Sequence, residues 1–105
     1  MKYVFDLDGT LCHTNGNKYQ ESVPWEERID IVNKLYDEGN KIIIHTARGM
    51  GSTENNQLEA IQKYYSLTEL QLKKWNIKYH YLFLGKPSGD RYIDDKGIND
   101  YEFFK

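Results

Sequence analysis

Apolar and polar positions divide the chain into short buried stretches and polar turns. Residues 2–7, KYVFDL, form an apolar run that ends in acid, as a short buried strand does. Residues 9–23 are polar and turn-rich, with Gly9, Asn15, Gly16 and Asn17, and read as a loop or flap. Pro24 suits the first position of a helix, and Ile29, Val32, Leu35 and Tyr36 then recur at helical spacing as one apolar stripe. Glu26 and Glu27 fall in its first turn, where the helix dipole favours acids, and Gly39 closes it. Residues 41–46, KIIIHT, predict a second buried strand, followed by a Gly-rich loop around Arg48 over residues 47–53.

A helix is predicted from about Ser52 to Tyr65. Ser66-Leu67-Thr68-Glu69 matches a capping box, so a second helix is predicted to run on to Trp75. Tyr79 to Leu84 reads as a third strand, Arg91 to Ile93 as a short fourth, and residues 99–105 as a last helical turn or two. Strands alternating with helices in this order predict an open, mostly parallel α/β sheet with right-handed crossovers. Ligands of such sheets bind beyond the carboxyl ends of the strands.

The residues at those ends carry the chemistry. The first strand runs into Asp6-Leu7-Asp8-Gly9-Thr10 and the second into Thr46-Ala47-Arg48-Gly49. Gly85-Lys86-Pro87-Ser88 follows the third, and Asp94-Asp95 ends the fourth. A parallel sheet would bring all four sets to one edge. Any one of them is accounted for as a solvated loop, but four carboxylates packed together repel and need a counter-charge. A hard cation with oxygen ligands, Mg²⁺ above all, supplies it, and Lys86 and Arg48 would then face an anion. Carboxylates, Mg²⁺ and basic groups around an anion describe phosphoryl transfer.

Composition narrows the classes. A chain of 105 residues holds one core, so residues 1–105 read as one domain. With 14 basic and 16 acidic residues the net charge is -2, which gives no bulk attraction to nucleic acid or to anionic membrane. Cys12 is alone, which rules out an internal disulfide, and reads as a small buried hydrophobe. His13, His45 and His80 lack metal-ligand spacing. No apolar run approaches a membrane span and no signal peptide opens the sequence, so a cytoplasmic protein is expected.

Four motifs in order, FDLDGTL at 5–11, Thr46 in IIIHTAR, Lys86 in GKP and Asp94-Asp95 in YIDD, resemble those of the haloacid dehalogenase (HAD) superfamily of aspartyl-phosphate phosphohydrolases. The resemblance implies a Rossmann-like three-layer sandwich and an Mg²⁺-dependent phosphatase. It makes Asp6 the nucleophile and Asp8 the general acid, then the base that activates water. Thr46 would bind a phosphoryl oxygen and Lys86 would neutralise the transferring group. Asp6, the Asp8 carbonyl, Asp94 and Asp95 would hold Mg²⁺, while Gly9, Thr10, Ala47 and Arg48 would line the substrate.

Lys86 precedes Asp94 by eight residues, where many members place a helix, so Lys86 is expected to reach in from a loop, with Lys96 the conceivable substitute. The gaps at 11–40 and 47–78 are filled by predicted elements and leave no room for a cap domain. An open site would be closed by a large substrate or an oligomer partner, or would be unselective; the substrate expected is a phosphorylated small molecule, a sugar- or nucleotide-linked phosphate or a phosphorylated polymer end, and the nine tyrosines leave room for a homo-oligomer interface. Two alternatives use the same aspartyl phosphate: a phosphotransferase or mutase, and a non-enzymatic phosphoaspartate regulatory module.

Overall fold

The computed structural model describes all residues from Met1 to Lys105. In chain order it holds β1 (Lys2–Phe5), β2 (Cys12–His13), a 3₁₀ turn (Tyr19–Glu21), β3 (Val23–Pro24), α1 (Glu26–Asp37), β4 (Lys41–Thr46), α2 (Gln57–Lys74), β5 (Tyr81–Leu84) and α3 (Asp100–Phe103). Strands β1, β4 and β5 pair in parallel in that order, with Val4 beside Ile43 and Tyr81 on one face and Phe5 beside Ile44 and Leu82 on the other. All three strands therefore end at one edge, where Asp6, Ala47 and Gly85 leave the sheet.

Both crossovers step in the same direction across the sheet, and right-handed crossovers of that kind put their helices on the same face. Phe5, Ile42, Ile44, Leu82 and Leu84 are buried there against Ile29 and Val32 of α1 and Leu72 of α2. Each such side chain contributes roughly 1.5–3 kcal/mol by leaving water. Phe103 and Phe104, from α3 and its end, pack edge-on and tilted against Tyr3 and Phe5. The parallel, Rossmann-like α/β class is as expected. The expected third layer is not built, because Val4 (60% exposed), Tyr81 (51%) and Phe83 (52%) on the other face have no helix over them.

Several elements depart from the sequence pattern for local reasons. Pro24 does not open a helix: it pairs with Cys12 in the two-stranded flap, and Trp25 takes the cap position of α1 after its N–H reaches the Leu11 carbonyl. The two helices expected between Ser52 and Trp75 are one helix, α2, which contains no Gly or Pro to break it. It starts late because Glu54 and Asn55 hold positive φ and turn the chain, and the Asn56 side chain then caps it by accepting from the Glu59 N–H. The fourth strand, Arg91 to Ile93, is absent. Tyr92 is turned back, its hydroxyl donating to the Pro87 carbonyl and accepting from the Gly89 N–H, and Ile93 is 95% exposed with no ladder.

Candidate active site

Asp6 and Asp8 leave the end of β1 on either side of Leu7, whose side chain is fully buried and whose carbonyl accepts from the N–H groups of Thr10, Leu11 and Cys12. This tight turn holds the two acids at the mouth of the sheet. From β5, the Lys86 N–H donates to the Thr46 carbonyl at 3.2 Å, which ties the lysine's loop to the end of β4. Its ammonium lies 3.6 Å from Asp6 Oδ1 and 4.3 Å from the Tyr92 ring centre. Lys86 thus reaches in from a loop, while Lys96 is 89% exposed against Asp95 and takes no part. Thr46 is buried, and its hydroxyl accepts from the Arg48 N–H.

These groups surround a cavity of about 190 Å³ lined by Asp6, Asp8, Thr46, Ala47, Arg48 and Lys86, with Gly16, Tyr19 and Tyr92 completing it. Burial pushes the Asp6 carboxyl above the usual range, opposed by the Lys86 charge and the Leu7 N–H. The carboxylate is thus held poorly solvated beside one cation, a state in which its charge is available to an electrophile. Burial first, and the Asp8 charge second, push the Cys12 thiol up to about 11, so Cys12 stays a neutral packing group as expected. His45, on β4, is lowered by burial and by the nearby Lys86.

Arg48 is placed differently from the expectation that it meets substrate. Its side chain is fully buried and its guanidinium is paired with Asp8, Nε to Oδ2 at 2.9 Å and Nη2 to Oδ1 at 3.0 Å. A positive charge committed in this way is not free to bind a second anion. Thr10 is likewise turned inward, its hydroxyl 3.4 Å from Asp6 Oδ2, and the Gly9 N–H is used by the Cys12 carbonyl. Neither Gly9 nor Thr10 lines the cavity; Ala47 does.

The expected cluster of four carboxylates does not form. Asp94 and Asp95 are exposed on the segment that lacks its strand, and Asp94 Oδ1 instead accepts from the N–H groups of Lys96 and Gly97 in an Asx turn. No group of three or more His, Cys, Asp or Glu side chains stands where it could hold a metal ion. What remains open to a cation is the Asp6 carboxylate together with the Asp8 main-chain carbonyl, which no N–H occupies. Such a set does not make a preformed cage. It fits an ion of the Mg²⁺ type that keeps its waters and is completed by substrate phosphate oxygens.

Sequence reasoning missed Thr68 and Gln71, and reached Tyr19 only as part of the flap beside the expected mouth. Tyr19 closes one side of the cavity from the flap, and its hydroxyl accepts from the Gly49 N–H. Thr68 and Gln71 are buried polar residues three apart on one face of α2, a spacing that marks a shared polar contact on an otherwise apolar face.

A parallel sheet thus brings a carboxylate pair, a buried threonine and a lysine together at its strand ends. The family model for haloacid dehalogenase-like hydrolases matches residues 3–78. The chain belongs to that family, and the matched stretch contains Asp6, Asp8, Thr46 and Arg48 but not Lys86 or the Asp94-Asp95 pair. The crystal structure of an MCSG target from Vibrio cholerae is similar at 30% identity and a TM-score of 0.89, over 98% of this chain and 86% of that one. A chain in the Pnkp1/Rnl/Hen1 complex shares the fold with a TM-score of 0.60 at 24% identity, over 98% of this chain but 33% of that one. No curated protein matches. No helix is long and apolar enough to cross a membrane.

Proposed function

We propose that the protein is a phosphatase that hydrolyses a phosphomonoester through an aspartyl phosphate on Asp6. The observation that carries this reading is the Lys86 ammonium 3.6 Å from the partly buried Asp6 carboxylate, beside buried Thr46, in a cavity at the strand ends. In the first step an Asp6 oxygen attacks phosphorus and the bond to the alcohol oxygen breaks, with Asp8 donating a proton to the leaving oxygen. In the second, water attacks the phosphoryl group, Asp8 takes its proton, and the Asp6–phosphorus bond breaks to release phosphate. Lys86 and the Thr46 hydroxyl sit where they stabilise the phosphoryl oxygens as charge spreads over them.

Charge supports a divalent cation. Asp6 and a phosphate dianion together bring three negative charges; Lys86 returns one positive, and Arg48, beside an Asp8 that carries the proton it donates, a second. One negative charge remains. Mg²⁺, bound through Asp6, would more than cancel it and would polarise the phosphoryl group.

The cavity is smaller than the ~300–1,000 Å³ of sites that enclose a drug-sized ligand. It fits the phosphoryl head and leaves the alcohol part against the open mouth, in keeping with a sugar- or nucleotide-linked phosphate in a site without a cap. The test is a panel of phosphomonoesters assayed for free phosphate with Mg²⁺. Phosphate release that EDTA stops and Mg²⁺ restores is the expected result. Transfer to an alcohol without free phosphate would replace hydrolysis by phosphotransfer.

A further inference from the structure

One buried charge takes no part in the bond changes of the proposed chemistry. Arg48 is an arginine with no solvent exposure of its side chain, and all five of its N–H donors are spoken for. Nε and one Nη2 proton go to the Asp8 carboxylate, while the other Nη2 proton points to Ser22 Oγ at 3.4 Å. The two on Nη1 go to Thr68 Oγ1 at 3.2 Å and Gln71 Oε1 at 2.5 Å. The guanidinium also lies over the Tyr19 ring, 4.9 Å from its centre. Burying an arginine with this many fixed partners is costly unless the geometry is kept, and truncating one partner leaves an unpaired buried charge.

We infer that Arg48 is a positioning residue that sets the orientation of Asp8 for proton transfer, with Thr68 and Gln71 of α2 fixing Arg48 in turn. The inference rests on the reading of Asp8 as the acid and base of the reaction. The pattern of bonds at Asp8 carries it. Oδ1 accepts from Arg48 and from the Thr14 hydroxyl at 2.6 Å, with the Cys12 thiol at 3.5 Å, so this oxygen is saturated. Oδ2 accepts only from Arg48 Nε, which leaves it the oxygen with room for a proton. A two-point contact from a rigid planar group fixes the carboxylate plane, and with it the direction in which Oδ2 offers its proton; a lysine, with one point of charge, would not. The same network reaches the flap. Gln71 Nε2 donates to the Tyr19 carbonyl at 2.6 Å, so the wall of the cavity and the orientation of Asp8 are held by one set of bonds.

A leaving-group comparison separates this role from a structural one. A good leaving group needs no proton in the transition state, so loss of a correctly aimed acid hurts poor leaving groups most. Phosphate release is measured for wild type, Arg48→Lys and Thr68→Val with phenyl phosphate and with dinitrophenyl phosphate, alongside thermal melts. General acid catalysis contributes ~10²–10⁴-fold, so Arg48→Lys is expected to lower kcat/KM, which reports the first step alone, by about 10²-fold on phenyl phosphate and by less than about 5-fold on dinitrophenyl phosphate. Thr68→Val, which touches neither Asp8 nor the cavity, should show the same pattern at about 5-fold, and stands in if Arg48→Lys does not fold. Equal losses on the two substrates in the folded variants would overturn the inference. If wild type releases phosphate from neither substrate, the reading of the protein as a phosphatase falls first and takes this one with it.

Discussion

At the cavity floor, Asp8 and Arg48 are locked by partners from three parts of the chain: the turn after β1, the flap and α2. Along residues 85–99, which pass the same cavity, polar groups bond almost entirely to their own neighbours, as Tyr92 does to Pro87 and Asp94 to Gly97. The start of the segment is the exception: the Lys86 N–H is anchored to the end of β4, the Gly85 carbonyl accepts from Gln57 and the Ser88 N–H donates to Asn55. The contrast follows from burial. A charge without water must find long-range partners or cost several kcal/mol, whereas an exposed one satisfies itself locally or with solvent. The floor is therefore preorganised for chemistry, and the tail contributes one lysine and an aromatic ring to it.

The largest effect expected is at Asp6. Asp6→Asn removes the proposed nucleophile, and phosphate release should fall by at least ~10³-fold. The same change should raise Tm at neutral pH. Burial outweighs Lys86 and raises the folded pKa of this acid above its unfolded value. Its contribution to stability is present below the unfolded pKa and lost as pH rises through the folded one. The gain in Tm should accordingly vanish in acid, where wild type is already protonated. Activity retained in Asp6→Asn would remove the floor's claim to the chemistry.

Lys86→Ala comes next, with an expected loss of ~10²–10³-fold in kcat, the scale of losing one preorganised charge-stabilising donor. If Lys96→Ala has that effect instead, the tail folds over the site in another way. Gly49→Ala tests the floor's packing rather than its chemistry. Gly49 holds φ +79°, and an added Cβ would stand 2.6 Å from Tyr64. Strain in that backbone region and overpacking together should cost about 2–4 kcal/mol of stability in a denaturant melt. The smallest effect is expected at the tail. With its side chain outside the cavity, Asp94→Asn should leave Tm unchanged and kcat/KM within about 3-fold, as for surface changes in general. A large loss at unchanged Tm, relieved by high Mg²⁺, would show that the tail closes on the site and would erase the contrast between the two regions.

KIIIHT and the apolar run before Asp6 were legible as strands because a short continuous apolar run bounded by polar turns suits a strand buried in a parallel sheet. Given parallel strands, it followed that Asp6, Thr46 and Lys86 would meet, because the carboxyl ends share one edge, and the structure brings them together. Legible too was the closing of α1 before Gly39, which holds φ +94° and is free of the steric penalty other residues meet there. The joining of 57–74 into one helix was not legible, since a capping box is a local preference that an unbroken helix face packed on the sheet overrides.

Linear order alone sufficed to name the residue types at the strand ends, and hence the kind of chemistry a parallel sheet would gather. Whether a given charge meets substrate or another side chain was decided only in three dimensions. Arg48 follows Thr46 by two residues and would bind an anion on spacing alone, yet Thr68 and Gln71, twenty and more positions away, draw it beneath the floor and aim it at Asp8. Asp94 and Asp95 end an apolar stretch as a strand's acids would, yet without a ladder to hold that stretch they stay in water. Burial of a charge depends on partners that are remote in sequence, and the desolvation it must offset exists only once the chain has folded.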